Sequence, residues 1–350
     1  MPSLSEPLGS HRTLSVMLTY QCTAACKHCG SYSNPKQGGQ LDPEHMVLAI
    51  NQAIDAGYEV VVFTGGEPTL VKETLLQGIR LASSRGARTR LVTNGWWAKD
   101  EDAADRQVAD LIDAGLVEIN FSTGDEHVRF VPLDNILWAC RAAAKIPMKP
   151  IVVIIETADG RTVTRQTLFQ HLQFQRIRKE FPGARVLIIE SPWMPLSPTK
   201  TSRYAAGTAT TSQNLPMRTG CVNCLGTTTL LPDGAMSACC GTGMRSIAEL
   251  QLGNIRQITI GEAYRQASDD FLKRWIRVEG PEKILAWAST KDPGIQWEGM
   301  YANRCQSCIR MYGDPRVRKV ILEHHQEKIA EVLTTEWLLY HFEPQIIRHG

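Results

Sequence analysis

Cysteine is the chain's most distinctive chemical resource: ten in 350 residues, grouped rather than scattered. Cys22, Cys26 and Cys29 form a C-x3-C-x2-C run directly after the apolar stretch Leu14–Leu18. Three thiolates on one short loop can hold three corners of an iron–sulfur cube, and the fourth iron then stays open to a small molecule. A structural zinc ion would need four ligands, and only His28 stands close enough in sequence to complete such a set. Six more cysteines fall between Cys221 and Cys308, and Cys140 stands alone in a helical pattern as a small core residue.

Composition narrows the context. Lys and Arg number 38 against 36 Asp and Glu, so no strong field draws the chain to nucleic acid or a membrane. The apolar fraction of 43% is that of an ordinary globular protein, and the length suggests about two domains. Met1 to His11 has no apolar core, and no apolar run is long enough to span a bilayer, which reads as cytoplasmic. In that reducing setting clustered cysteines point to metal rather than disulfides.

The elements that must position these residues follow from periodicity. Strands are expected at Leu14–Leu18, Glu59–Thr64, Thr89–Thr93, Val117–Ser122, Pro150–Thr157 and Arg185–Ser191. Helices fall between them, near Pro43–Ala56, Lys72–Arg85, Asp102–Ala114, Leu133–Lys145 and Val163–Glu180. Asp42 before Pro43 is a good N-cap, and Gly57 and Gly86 end two of the helices. Repeated βα units with Val- and Ile-rich strands imply an α/β fold with a parallel sheet. Six units are too few for a closed eight-stranded barrel. In βα architectures sites gather at the C-terminal ends of strands, where the cysteine loop lies.

The C-x3-C-x2-C spacing resembles that of the radical S-adenosylmethionine (SAM) enzymes. One βα unit later comes Thr64-Gly65-Gly66-Glu67-Pro68, which matches that family's GGEP motif. The resemblance implies an open partial (β/α)6 barrel and a [4Fe–4S] cluster whose open iron is chelated by SAM. It implies that Gly65, Gly66, Glu67 and Pro68 bind the amino group of SAM, with Asn94 of Thr93-Asn94-Gly95 lining the site. Ser122 occupies the place of a hydroxyl near the ribose. The family's Ser-x-Asp-Gly order is altered here to Ser122-Thr123-Gly124-Asp125, which puts the transfer to Asp125 in doubt. Glu190 to Pro195, with Met194, resembles the last adenine-facing loop.

Other strand ends stay open on the residues alone. Asp125-Glu126-His127 can hold substrate or move a proton, or can be a solvated loop. Glu156 and Glu190, near the ends of the fifth and sixth strands, need a partner or a role, and sugar hydroxyls, a cation or an Arg would serve. Trp96 and Trp97 are either a stacking wall or a cover for one end of the barrel.

From about Leu196 the βα rhythm stops, and a Ser-, Thr-, Pro- and Gly-rich stretch to Gly220 reads as a linker or flexible loop. The expected division is therefore 1–200 and 201–350. Two β-prone runs around Pro232-Asp233-Gly234 make a hairpin that returns Cys239 towards Cys221 and Cys224. Helices are expected at Gly261–Glu279, Glu282–Ser289 and Arg316–Leu339, with Cys305-Gln-Ser-Cys308 before the last. Two C-x2-C pairs fit a zinc ribbon on spacing alone. However, Cys224-x9-Gly234-x4-Cys239 and Gly253-Asn254-Ile255 resemble the cysteine-rich SPASM extension of the same family. The absence of cysteines beyond Cys308 favours its shortened twitch form, a small α+β domain with one auxiliary [4Fe–4S] cluster. The spacing from Cys221 to Cys239 is also like that of the twitch-containing 2-deoxy-scyllo-inosamine dehydrogenases. The implied ligands are Cys239, Cys305 and Cys308, with either Cys221 or Cys224 as the fourth, and Cys240 spare, a transient ligand or a substrate contact.

The expected activity is reductive cleavage of SAM to a 5′-deoxyadenosyl radical, which abstracts a substrate hydrogen. An auxiliary cluster would take up the electron left behind, and a flavodoxin- or ferredoxin-type protein would supply electrons. Substrates divide into a peptide, oxidised or crosslinked, and a small sugar, cyclitol or nucleoside. The first expected strand begins at Leu14, so neither a leader-binding nor a corrin-binding domain is expected before it. The competing reading from another class is a zinc-stabilised binding protein, colourless and inert towards SAM.

Overall fold

In a computed structural model of the chain, the described residues are 12–146, 150–157, 160–195 and 200–342. Met1 to His11, and the start of the linker-like stretch at Leu196, lie outside them. The chain divides into two compact units: Thr13–Trp193 with Leu230–Gly234, and Met194–Thr229 with the chain from Ala235 onward.

The first unit alternates strands and helices: β1 (Thr13–Met17), α1 (Pro43–Asp55), β2 (Val60–Thr64), α2 (Lys72–Ser84), β3 (Arg88–Thr93), α3 (Glu101–Asp113), β4 (Glu118–Gly124), α4 (Leu133–Ala144), β5 (Ile151–Thr157), α5 (Arg165–Gln170), α6 (Leu172–Glu180) and β6 (Val186–Pro192). The six strands lie in the order β6-β5-β4-β3-β2-β1, every neighbouring pair parallel. Because β1 and β6 are not neighbours, the sheet is an open, partial barrel rather than a closed one. Leu14, Val61, Phe63, Leu91, Phe121 and Val153 are all fully buried, as strands covered on both faces require.

Local rules explain most boundaries. Asp42 accepts the amide of Glu44 at the start of α1, and Gly57 and Gly86 take φ of 82° and 83° just beyond α1 and α2. The expected helix Val163–Glu180 is instead two helices. His171 adopts an extended backbone between α5 and α6, and its ring accepts the amide of Gln173, so it ends one helix and caps the next. Cys140 is fully buried in α4, as its apolar neighbours suggested.

Later in the chain come β7 (Thr227–Leu230), β8 (Ala235–Ser237) and β9 (Gln251–Asn254), then α7 (Ile260–Ser268), α8 (Phe271–Val278), α9 (Pro281–Lys291), α10 (Arg304–Gly313), α11 (Pro315–His324) and α12 (Gln326–Phe342). The expected helix Gly261–Glu279 breaks where Asp270 caps α8 through the amides of Leu272 and Lys273. The expected helix from Arg316 breaks at His325. The Ser/Thr-rich stretch before Gly220 is fastened rather than free: the Thr210 amide donates to the Tyr301 carbonyl at 2.7 Å, and Ser212 donates to Glu298. No helix among the described residues is long and apolar enough to cross a membrane.

Candidate active site

The loop after β1 gathers its thiols by local geometry. Tyr32, at φ 55°, turns the chain so that the amide of Ser33 reaches Cys29 Sγ at 3.3 Å and Ser31 Oγ lies 3.2 Å from the same sulfur. A non-glycine residue in the left-handed region costs about 1–3 kcal/mol, so the turn is held against a penalty. The amide of Ala24 and the Asn94 side chain both reach Cys22 Sγ, at 3.4 and 3.6 Å. Burial pushes the Cys22 thiol up to about 11 and the Cys26 thiol up to about 12, and the neighbouring sulfurs and carboxylates add to this. Thiols that repel one another as anions but share amide donors suit a metal group that neutralises them.

The GGEP segment lies beneath this loop because its glycines permit it. A Cβ on Gly66 would meet the Gln21 carbonyl at 2.1 Å, and one on Gly65 the Thr19 carbonyl at 2.6 Å. The amide of Gly66 bonds the Thr19 carbonyl at 2.7 Å, and that of Glu67 bonds the Gln21 carbonyl at 2.8 Å. The glycines therefore first serve to dock the β2 end on the segment entering the cysteine loop.

Comparison with known proteins decides what this arrangement belongs to. A family model described as the radical SAM superfamily matches residues 16–174. Those residues are a radical SAM domain. A curated relative, the putative peptide biosynthesis protein YydG of Bacillus subtilis (strain 168), is 22% identical over 163 residues. That match spans 46% of this chain and 49% of YydG, so the chain covers about half of its relative's length. Among solved structures, anSMEcpe with bound AdoMet and a Cp18Cys peptide aligns at a TM-score of 0.52 and 14% identity, covering 92% of this chain and 98% of that one. Streptococcus suis SuiB bound to the precursor peptide SuiA aligns at 0.56 and 12% identity, covering 78% and 68%. At such identities the structural likeness is one of fold.

Within the radical SAM domain, several expected site residues have internal partners. Glu67 is fully buried; its carboxylate accepts Thr69 N and Oγ1, Thr93 Oγ1 and Asn94 N at 2.7–3.2 Å. Burial raises its pKa, and the four donors oppose that. The carboxylate is a knot between the ends of β2 and β3, not a free acceptor for a ligand. Asn94, held by that knot, donates to Thr23 Oγ1 at 3.0 Å and so ties β3 to the cysteine loop. Both tryptophans point their N–H inward, Trp96 to Thr69 at 2.9 Å and Trp97 to Thr93 at 3.1 Å, which favours the covering role over a stacking wall.

Asp125 and Glu190 also differ from expectation. Asp125 accepts the amides of Thr162 and Val163, and although burial opposes it, these bonds hold its carboxyl below the usual range. It anchors a turn through these bonds. Glu190 pairs in register with Ile155, so it lies on the opposite sheet face from Glu156 and caps α5 through Arg165 N at 3.0 Å. It is exposed on the helix-bearing side, away from the strand-end site. Ser122 is half-buried in β4 and Met194 is buried.

Glu156 supplies a feature that sequence reasoning missed. Its two oxygens meet two imidazoles, Oε1 with His28 Nε2 and Oε2 with His127 Nδ1 at 3.2 Å. Burial alone would raise its pKa, yet His127 and His28 hold the carboxyl down at about 2. Their ligating atoms lie within 4.8 Å of one another. His28 belongs to the cysteine loop, so this cluster ties that loop to the ends of β4 and β5. The His28 ring also stands edge-on to Trp193, at 5.8 Å. His28 Nδ1 and Trp193 Nε1 are buried without a protein partner, and the His127 Nδ1–Glu156 Oε2 contact is a charge contact rather than an aligned hydrogen bond. Only the separate letters His28, His127 and Glu156 were legible; the register that joins them was not.

The second unit gathers its cysteines from three segments. Cys221, Cys224, Cys239, Cys305 and Cys308 all line one cavity of about 50 Å³, together with Gly241, Met244, Ile247, Leu250 and Ile276. Cys240 is exposed and does not line it. Cys305 and Cys308 sit one turn apart at the start of α10, which Asn303 caps, so both face the same way. A Cβ on Gly241 would stand 3.1 Å from Cys305 Sγ. Burial pushes the Cys305 thiol up to about 12 and those of Cys224, Cys239 and Cys308 well above normal, each worsened by neighbouring sulfurs. Five thiols in one largely apolar cavity, which would repel one another as anions, fit a group that binds them as thiolates and carries its own positive metal charge.

Proposed function

We propose that the chain is a radical SAM enzyme that oxidises or crosslinks a peptide. The observation that carries the SAM chemistry is the placing of Cys22, Cys26 and Cys29 on one loop after β1, inside the segment that the radical SAM family model matches. When bound, a [4Fe–4S] cluster with SAM on its open iron supplies reductive cleavage to a hydrogen-abstracting 5′-deoxyadenosyl radical. The protein's part is to hold and shield. The three thiolates would hold the cluster, while donors from Ala24 and Asn94 to Cys22 Sγ and from Ser33 to Cys29 Sγ would drain charge from two of the sulfurs. Glu67 fixes Asn94, and Glu156 fixes His28 and His127, so the loop cannot drift relative to its strands.

The second site is read as an auxiliary [4Fe–4S] cluster in a SPASM- or twitch-type domain, held by four of its five thiols. Closed by thiolates, it would serve as an electron acceptor. Net oxidation then balances: one hydrogen atom leaves to the adenosyl radical, one proton to solvent and one electron to the auxiliary cluster. A cytoplasmic flavodoxin- or ferredoxin-type protein would exchange electrons with both sites.

The peptide substrate is supported by what YydG, SuiB and anSMEcpe are described as making or binding. The strand-end carboxylates also bear on the choice. Glu156 and Glu190, which would have gripped hydroxyls, are already engaged by imidazoles and a helix amide, and this weakens the sugar, cyclitol or nucleoside reading. The test is to incubate candidate peptides with the reduced enzyme and SAM, and to follow their mass. Loss of two hydrogens, with deuterium from a labelled peptide appearing in 5′-deoxyadenosine, is the expected result. Label transfer only from a sugar or cyclitol would overturn the peptide assignment.

A further inference from the structure

Helix α8 brings two buried cations to the loop that carries Cys221 and Cys224. Arg277 is 8% exposed, and its Nη1 donates to the carbonyls of Val222 and Cys224 at 2.9 and 3.1 Å. Lys273, one turn earlier and 6% exposed, offers its carbonyl to Cys224 Sγ at 3.6 Å, and its ammonium pairs with Asp270. Between them, the Ile276 carbonyl accepts the amide of Cys221 at 3.0 Å, and Ile276 lines the thiol cavity. Burial lowers the pKa of Arg277, and the charges of Tyr264, Cys224, Glu336 and Cys221 pull it back up.

We propose that Arg277, seconded by Lys273, is a countercharge that raises the reduction potential of the iron–sulfur group in the five-thiol cavity. The proposal rests on the auxiliary-cluster reading above. A [4Fe–4S] group with four thiolates is already a net anion, and reduction adds one more negative charge. A fixed cation nearby therefore stabilises the reduced form more than the oxidised one. Met244, Ile247, Leu250 and Ile276 make much of the cavity wall apolar, although Asn223, Thr242 and Arg304 also line it, so a charge there is screened less than at the surface. A raised potential is what an acceptor of the substrate's electron needs. The sequence carries no sign of it, because only the packing of α8 brings the Arg277 side chain to the cysteine loop.

The test uses the full chain with Cys22, Cys26 and Cys29 all changed to Ala, so that only the second site loads. After anaerobic reconstitution, iron is counted and the electron paramagnetic resonance signal is titrated against potential. About four irons per chain are expected. Arg277→Gln should shift the midpoint to a more negative potential, and Arg277→Lys should stay near the parent. Lys273→Gln should shift it the same way without touching the loop carbonyls, and decides the matter if Arg277→Gln loses its iron. Identical midpoints in fully loaded variants would overturn the countercharge. A parent that binds zinc and no iron would instead overturn the auxiliary-cluster reading beneath it.

Discussion

In the loop after β1, three half-buried thiols share one short stretch of chain and are surrounded by donors: Ala24 N, Ser33 N and Asn94. Between Cys221 and Cys308, five thiols converge from three segments on a largely apolar cavity, with Arg304 in its wall and Arg277 of α8 bonded to the loop that carries Cys221 and Cys224. Each loop bends through a non-glycine residue in the left-handed region, Tyr32 at φ 55° and Leu225 at φ 62°. The contrast teaches how ligand number and surroundings divide the labour. Three ligands amid polar strand ends leave a metal open to a ligand, whereas an excess of ligands in a dry wall closes one off. The first arrangement suits bond cleavage, and the second suits electron storage.

The sharpest way to break this contrast is to remove one thiol from each site. Cys26→Ala should abolish 5′-deoxyadenosine formation while lowering iron from about eight to about four per chain. Cys308→Ser should lower iron by the same amount yet leave SAM cleavage intact, with peptide oxidation lost; chromatography of the nucleoside and mass spectrometry of the peptide separate the two. If Cys308→Ser also stops SAM cleavage, the division of labour fails.

Smaller effects probe the supports of the first site. Glu67→Ala strands four donors in a dry place and should destabilise the fold by about 3 kcal/mol or more, read by denaturant unfolding. Glu156→Gln frees His28 and His127 while leaving every thiol in place, so iron should stay constant as SAM cleavage falls by about 10–100-fold. An unchanged rate would show that the two imidazoles do not position the loop.

Asp125→Asn should be the mildest. The folded pKa of Asp125 is depressed, so its stabilising contribution is present above its unfolded pKa of about 3.9 and is lost as pH falls through the lower folded value. The variant should melt below the wild type at pH 7, and the gap should close on acidification. A gap independent of pH would assign the effect to geometry rather than charge.

The radical SAM domain was legible wherever one residue type at fixed spacing decides the matter. The C-x3-C-x2-C run, the βα rhythm and the paired glycines are local signals, and the parallel order of β1 to β6 follows from them. What stayed hidden depends on register and packing. Glu156 and Glu190 look alike as strand-end carboxylates, and only the pairing of Glu190 with Ile155 puts them on opposite faces. Glu67 reads as a ligand acceptor until Thr93 and Asn94 arrive from the next strand. The helix breaks at His171, Asp270 and His325 were missed because apolar periodicity carries on across them, although Asp270 before Phe271 is an N-cap that could have been read. Asn303 before Cys305 is a second such signal, and it would have placed Cys305 and Cys308 on one helical face.

One measurement reaches the centre of the account: the fate of SAM when mixed with the wild-type chain, reconstituted with iron and sulfide under strict exclusion of oxygen and then reduced. The account predicts methionine and 5′-deoxyadenosine in equal amounts. Recovery of intact SAM from protein whose loop cysteines hold zinc would contradict it.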